Sequence, residues 1–247
     1  MIKKSIFTNF IEKGFLAGMV ESFVMEVVDK EASIYFVTDE KLVGDIKLNN
    51  FDFADAEIGV YNPDVLLKMF SILDEEVELD LKANKSNQIV SIFSQDKKGK
   101  KVTYATADVD IIERADKKKS KITDYEVVTE LNEEVISDIL KSKACLKDES
   151  KITFLQEKGK TFIVFGSSKN NTNQIKFELD TQKADEIEAL SFNVNTLGTI
   201  LTVNSKKYET AILEISAKGL LRMVFENKDG KAEYFLPKLR TESEDEE

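Results

Sequence analysis

The stretch that decides the fold is Ile58-Gly59-Val60-Tyr61-Asn62-Pro63, because the pattern that it begins occurs twice in this chain. The second occurrence begins 131 positions later, at Ala189-Leu190-Ser191-Phe192-Asn193-Val194. In each copy a helical pattern and alternating strands lead to a polar turn, Asp96-Lys97-Lys98-Gly99-Lys100 or Asn227-Lys228-Asp229-Gly230-Lys231. A repeat of this kind predicts two similar domains built on one plan.

Four segments have the apolar spacing of amphipathic helices, two in each half of the chain. In the second of them, Asn62 is a suitable N-cap and Pro63 suits the first helical position. The fourth contains poorer helix formers, so we predict it mainly from its twin in the first half. The windows around the four helices are residues 3–16, 63–73, 132–147 and 193–207.

The remaining sequence alternates between apolar and polar residues, with turn residues at short intervals, which predicts antiparallel sheet. The fold class is therefore α+β, with two similar domains that each combine antiparallel sheets with two helices. The lysine-rich segment 114–124 has little apolar character and is the natural connection between the halves. The predicted divisions are an N-terminal domain 1–113, a connecting segment 114–124, a C-terminal domain 125–239 and an acidic disordered tail 240–247.

Composition excludes several classes of function. The chain has 247 residues and no histidine, which excludes histidine-based catalytic triads and the usual imidazole metal ligands. It has no apolar run of about 18 residues, so we expect no membrane span. Its N-terminus lacks the apolar region of a signal peptide, and its one cysteine, Cys145, lacks a sequence partner for a disulfide, so we expect an intracellular protein.

The sequence carries few residues that point to catalysis. Gly166-Ser167-Ser168-Lys169 lacks the spacing of a phosphate-binding loop, and Cys145 has no evident base that would make it a nucleophile. Asp52, Asp55 and Glu57 could in principle hold the metal ions of a nuclease, although a polar surface loop is the simpler interpretation. We therefore expect a protein that is not an enzyme and that needs no metal or other cofactor.

The net charge of −11 argues against conventional sequence-specific DNA binding, which depends largely on neutralising phosphates. The tail 240–247 contributes one basic and five acidic residues, and we expect it to be solvated and mobile. The four helix windows differ from the rest of the chain, because their charges sum to +4. The helices are thus predicted to present a weakly basic surface on an acidic protein.

Eight segments along the chain have an order and spacing that are informative together, namely Lys41–Gly44, Asn50–Phe53, Ile58–Tyr61, Leu66–Lys68, Asn173–Phe177, Ile215–Leu221, Met223–Phe225 and Tyr234–Leu239. Their order resembles that of DNA sliding clamps of the proliferating-cell-nuclear-antigen type, including clamps of tailed phages. The C-terminal part is the most specific, and one departure is that Leu236 stands directly before Pro237.

The resemblance implies a homotrimer in which three subunits close head to tail into a ring around duplex DNA. The helices would line the hole, and open sheet edges would pair between neighbouring subunits. The implied edges are Val102–Asp110 in one subunit and Gln174–Leu179 in the next. The implied interface residues are Val102, Tyr104, Ile175 and Phe177.

The resemblance also implies that basic residues on the helices hold DNA loosely through its phosphates, without reading the bases. Lys68 and Lys141 fall where members of the family place such residues. The complete set of predicted channel residues is Lys3, Lys4, Lys13, Lys68, Lys141, Lys143, Lys147, Lys206 and Lys207.

The implied protein partners are a DNA polymerase, which the ring would tether for processive synthesis, and a clamp loader. Such partners insert a short peptide with apolar anchors into a pocket. The residues that match this pocket are Val43, Ile122, Leu220, Phe235, Leu236 and Pro237. An alternative of another class remains open: a viral-type accessory factor with the same fold that works as a monomer or dimer and attracts DNA through a basic face.

Overall fold

The computed structural model describes residues 2–117, 122–166, 173–205 and 207–240. It divides the chain into two compact units. The first unit contains Met1–Lys117 together with Asn227–Ala232, and the second contains Lys118–Glu226 together with Glu233–Glu247. The predicted connecting segment 114–124 therefore includes the division between the units, and its residues 118–121 lie outside the described residues.

The first unit contains two helices and two antiparallel sheets. One sheet has the strand order β1-β6-β7-β8, and the other contains the run β4-β3-β2-β5. The elements in chain order are β1 (Ile2–Lys3), α1 (Lys4–Phe15), β2 (Phe23–Val28), β3 (Glu31–Val37), β4 (Val43–Leu48), β5 (Ala56–Val60), α2 (Pro63–Ser71), β6 (Glu76–Ala83), β7 (Ile89–Asp96) and β8 (Lys101–Ala105).

The second unit repeats this composition. One sheet has the order β12-β11-β10-β14, and the other contains the run β13-β9-β15-β16-β17. Its elements are β9 (Val127–Glu130), α3 (Glu133–Cys145), β10 (Lys151–Glu157), β11 (Lys160–Phe165), β12 (Ile175–Leu179), β13 (Lys183–Ala184), β14 (Leu190–Asn193), α4 (Val194–Asn204), β15 (Thr210–Ser216) and most of β16 (Leu220–Asn227) and β17 (Gly230–Pro237), of which Asn227 and residues 230–232 belong to the first unit. The predicted α+β class with antiparallel sheets is confirmed.

The repeat seen in the sequence has the same local chemistry in both copies. Asn62 caps α2 by accepting a hydrogen bond from the N–H of Val65 (3.2 Å), and Asn193 caps α4 by accepting from Asn195 (2.9 Å). The two polar turns also match, because Asp96 and Asn227 each accept two main-chain N–H groups of their own turn at 2.9 and 3.0 Å. Short polar side chains that accept from the following main chain are typical of caps and turns.

Each unit has its own apolar core beneath a helix pair. In the first unit the ring of Phe7 on α1 lies 5.2 Å from that of Phe70 on α2, and both side chains are almost fully buried. In the second unit α3 packs on α4, which is buried along most of its length. Burial of this helix explains why it forms despite its poor formers, since packing overrides intrinsic propensity. The helices predicted from the sequence are all present.

Candidate functional site

The lysines predicted on the first unit differ in how far they reach into solvent. Lys3 is exposed, whereas the ammonium group of Lys4 donates to a main-chain carbonyl in the loop after α2. Lys13 is only 7% exposed and lines a small cavity of about 30 Å³ within its own unit. Lys68 is on α2 with its side chain 74% exposed, 2.5 Å from Asp64 one turn earlier. Lys3 and Lys68 are thus the two of this group that are open to an external phosphate.

The lysines of α3 lie on different sides of that helix. Lys141 has a side chain that is 74% exposed, and its ammonium nitrogen is 4.0 Å from Asp138. Lys143 instead lies across Gly198 of α4, where an added Cβ would come within 2.9 Å of the lysine Cδ and Nζ atoms. Lys141 therefore presents its charge to solvent, while part of the Lys143 side chain covers the neighbouring helix.

The remaining predicted lysines follow the helices of the second unit. Lys147 comes just after α3 and is exposed, and Lys207 follows α4 and is partly buried. Lys206 lies outside the described residues.

The C-terminal strand β17 alternates between buried and half-buried positions, so its side chains point to opposite faces. Leu236 is 2% exposed and belongs to the core. Phe235 and Pro237 are half-buried and share the other face. The structure therefore separates three residues that the sequence grouped in one pocket. Leu236 can support a surface formed by its two neighbours, but its side chain does not lie on that surface.

The other predicted pocket residues are each half-buried in their own unit. Val43 begins β4 in the first unit. In the second unit Ile122 precedes β9, and Leu220 begins β16. These partly exposed apolar side chains are available for contact.

Arg222 of β16 is a feature that the sequence reasoning missed. Its guanidinium group lies 2.5 Å from Glu214 and 2.6 Å from Glu233, and its centre is 5.9 Å from the rings of both Tyr125 and Phe235. Burial alone would lower the pKa of Arg222, but the two carboxylates outweigh it and the pKa is raised. The sequence did contain one signal, because the short turn after β15 places Glu214 opposite Arg222.

Strand β8 forms one end of its sheet and pairs with β7. Main-chain hydrogen bonds from Thr106 to Val90 (3.1 Å) and from Asp96 to Lys100 (3.0 Å) fix which residues of this ladder are bonded. Because bonded and non-bonded pairs alternate in an antiparallel ladder, the even-numbered residues of β8 bond to β7. The N–H and C=O groups that point to the open edge belong to Lys101, Thr103 and Ala105.

Strand β12 forms an end of the corresponding sheet in the second unit. Its neighbour β11 is joined to β10 by a two-residue turn in which Lys158 (φ 53°) and Gly159 (φ 77°) are both left-handed. The pair that flanks such a turn is hydrogen-bonded, so the odd-numbered residues of β11, such as Ile163, bond to β12. Ile163 is opposite Phe177. The groups that point to the open edge therefore belong to Lys176 and Glu178.

The predicted interface side chains are not equally accessible. Val102 and Tyr104 are 3% and 5% exposed, and the Tyr104 hydroxyl accepts the N–H of Asn62 at 3.1 Å. Beside that contact, Tyr61 and Val65 are 64% and 41% exposed, and Val90 of β7 and Ile111 after β8 are 44% and 70% exposed. The apolar surface near β8 thus comes from residues outside the strand, whereas Val102 and Tyr104 of the strand face inward.

The second predicted edge differs from the first in this respect, because Ile175 and Phe177 of β12 are both partly exposed. β8 is also shorter than predicted, since it ends at Ala105 and residues Val109–Ile111 form a 3-10 turn. In each unit, another strand could therefore pair with the outward main-chain groups of the edge strand and contact the partly exposed side chains beside it.

The carboxylates considered for a nuclease are engaged separately. Asp52 pairs with Lys30 at 2.7 Å, and Asp55 accepts the main-chain N–H of Asp29 at 3.0 Å. Hydrogen bonds from Arg114 hold the pKa of Glu57 below its usual range. Within the ranges that the structure describes, no group of three or more acidic or cysteine residues is arranged to hold a metal ion. In the same part of the chain, every helix is too short or too polar to span a membrane.

Comparison with solved structures identifies the architecture. The proliferating cellular nuclear antigen of Entamoeba histolytica matches with a TM-score of 0.77 at 14% identity, over 96% of each chain. The chain has the clamp fold. A chain of the PCNA2–PCNA3 complex of Sulfolobus tokodaii shares this clamp fold at a TM-score of 0.75 and 11% identity, over 96% of this chain and 97% of that one. No protein-family model and no curated protein matches the sequence.

Proposed function

We propose that this chain is the subunit of a sliding clamp, which encircles duplex DNA as a homotrimer and tethers a DNA polymerase for processive synthesis. The observation that carries the proposal is an open strand edge in each unit of a clamp fold, β8 in the first and β12 in the second. A clamp loader would open or assemble the ring on DNA. The role is that of a scaffold, without catalysis and without a cofactor.

Edge pairing supports closed assembly. The two edge strands differ, so β8 of one copy can pair with β12 of the next copy. Such a head-to-tail contact forms a ring when the rotation that relates neighbouring copies adds up to a full turn. Pairing would satisfy the outward main-chain groups at Thr103 and Glu178, which otherwise depend on water. It would also cover Tyr61, whose side chain is 64% exposed in the single chain.

The exposed lysines support loose binding to DNA. Lys3, Lys68, Lys141 and Lys147 are exposed on or next to helices. Contacts from such side chains to phosphates carry no sequence information, and they permit sliding. Retention would then be topological, because a closed ring cannot leave a circular duplex. This arrangement reconciles DNA association with a net charge of −11.

The half-buried apolar residues support contact with partner peptides. Phe235 and Pro237 share one face of β17, and Leu220 and Ile122 are also partly exposed in the same unit. Apolar anchors of an extended peptide fit such a surface.

The ring is tested by placing proline at the open edge of β8. The N–H of Thr103 points away from β7, so Thr103→Pro removes an edge donor without removing a bond inside the sheet, and proline is tolerated at such positions. We expect wild type to have the mass of three 28.0-kDa chains in light scattering and Thr103→Pro to have the mass of one. Thr103→Ala keeps the N–H and should remain trimeric.

Circular dichroism would establish that Thr103→Pro is folded. A wild-type mass of one chain at micromolar concentration would contradict the ring and favour a non-ring accessory factor. Retention on nicked circular DNA, with loss after linearisation, would test encirclement. Equal retention on both forms would argue that binding is electrostatic and not topological.

A further inference from the structure

The outer face of the second unit's sheet contains an arginine whose two terminal nitrogens are both held by carboxylates. Glu214 lies directly across from Arg222 in the β15–β16 register, so the two side chains share one face. The terminal nitrogens of Arg222 contact Glu214 at 2.5 Å and Glu233 at 2.6 Å. The three side chains are 25%, 17% and 19% exposed, so water screens this group only partly.

This arrangement fixes the plane of the guanidinium group. Carboxylates on two sides leave it little freedom to rotate, because each charged hydrogen bond is directional. A lysine at position 222 would keep the charge but would lose the planar fork. The local charge of the three groups is −1, so the arginine is fully compensated and is not available as a free positive patch.

Two aromatic rings lie on this fixed cation. The guanidinium carbon is 5.9 Å from the ring centre of Tyr125 and 5.9 Å from that of Phe235. At this distance a cation attracts the face of an aromatic ring. The residue before Phe235, Tyr234, packs into the core against Phe225 with 6.2 Å between ring centres, whereas Phe235 is half-buried and on the opposite face. Arg222 is therefore a contact that can orient the Phe235 ring.

We propose that Arg222 is a positioning residue, which holds the Phe235 ring in the orientation that a partner peptide meets. A ring that is already ordered loses less side-chain entropy on binding, so peptide affinity increases without a direct contact to the arginine. This inference rests on the proposed function for the identity of the ligand. The coupling between Arg222 and Phe235 can be measured without that ligand.

The experiment uses the full-length chain with 4-fluorophenylalanine at position 235. In Arg222→Met, which keeps an unbranched stem but removes the fork and the charge, we expect the fluorine signal to shift and to narrow. The control is Lys160→Met, because it removes the 2.7-Å ion pair with Glu178 in another sheet of the same unit. The control should leave the fluorine signal unchanged.

Peptide binding is measured in parallel with the fluorescein-labelled C-terminal peptide of the DNA polymerase from the same source. We expect Arg222→Met to weaken binding about three- to tenfold, which corresponds to freeing one aromatic side chain, while Lys160→Met binds as wild type does. Arg222→Lys should restore little of the affinity, because it restores charge without the planar group. The Glu214→Gln and Glu233→Gln double variant keeps the arginine and provides the same test if Arg222→Met does not fold.

The outcomes separate the two proposals. An unchanged fluorine signal in Arg222→Met overturns the positioning role, whatever the peptide does. If the fluorine signal changes but the peptide affinity does not, Arg222 orients the Phe235 ring without contributing to peptide binding, and that part of the proposal is overturned. If the wild-type chain binds no peptide, the partner surface in the proposed function fails, and the fluorine signal alone decides whether Arg222 orients Phe235.

Discussion

Replacing Gly198 with alanine should stabilise this protein, although the glycine is buried between two helices. Gly198 is inside α4, and glycine in a helix interior is about 1 kcal/mol less favourable than alanine. The atoms that a new Cβ would meet all belong to the flexible end of Lys143, with Cδ and Nζ at 2.9 Å and Cε at 3.4 Å. Moving this partly exposed side chain costs about 0.5 kcal/mol in lost packing. The net gain is about 0.5 kcal/mol.

The same added methyl group at Gly44 provides the matched control. There the Cβ would lie 2.2, 2.3 and 2.9 Å from atoms of the Phe36 ring, which is only 5% exposed. A buried ring cannot move aside as a lysine end does, so Gly44→Ala should cost about 1–3 kcal/mol through overpacking.

Calorimetry and urea unfolding measure both variants. For a chain of 247 residues, 1 kcal/mol corresponds to about 2–4 °C in Tm. We therefore expect Gly198→Ala to raise the Tm by about 1–2 °C and Gly44→Ala to lower it by about 2–12 °C. A Gly198→Ala protein that melts below wild type would contradict this expectation, because it would mean that displacing Lys143 costs more than the helix gains.

Two further predictions concern charge. Replacing Lys68 and Lys141 with alanine should leave the assembly intact but reduce the salt dependence of DNA binding, by about one unit of log K against log salt for each lost phosphate contact. Fluorescence anisotropy between low and high salt measures this slope, and unchanged slope and primer extension would argue against both residues. Arg114→Met should lower the Tm slightly at neutral pH, because the pair with Glu57 is exposed. Since Arg114 lowers the pKa of Glu57 from 4.5, this contribution is present above that pH and is lost as the pH falls through the lowered value, so the Tm difference from wild type should vanish in acid.

The fold was predictable because its signals are local and occur twice. Asn62 and Pro63 indicate the start of α2, and the structure confirms the cap, because Asn62 accepts a 3.2-Å hydrogen bond from the N–H of Val65. Asn193 caps α4 in the same way. The match to α2 therefore predicted this helix correctly, although its composition alone did not indicate a helix. Local pattern sufficed wherever a side chain bonds to a main-chain group a few residues away.

The site was less predictable, because it depends on which face of a strand or helix a side chain occupies. It also depends on which residues from other segments pack against that side chain. Leu236 is next to Phe235 in the sequence, but the alternation of β17 sends it into the core. Lys13 has the charge of a surface residue and is nevertheless buried. Arg222 depends on contacts with Glu233 and with rings from separate segments, which no single window of the sequence contains.

In the proposed ring, the open edges would also matter for a subunit before it meets another copy. A free strand edge is a template for aggregation, so a newly made chain would have to stay soluble while β8 and β12 are unpaired. Both edge strands are only five residues long, and charged side chains stand beside the exposed main chain at Lys101, Lys176 and Glu178. Short length and charge oppose indiscriminate pairing while leaving the backbone free for one matching strand. If the proposed ring forms, the same ten residues would keep the unassembled subunit soluble and provide the strands that pair in the ring.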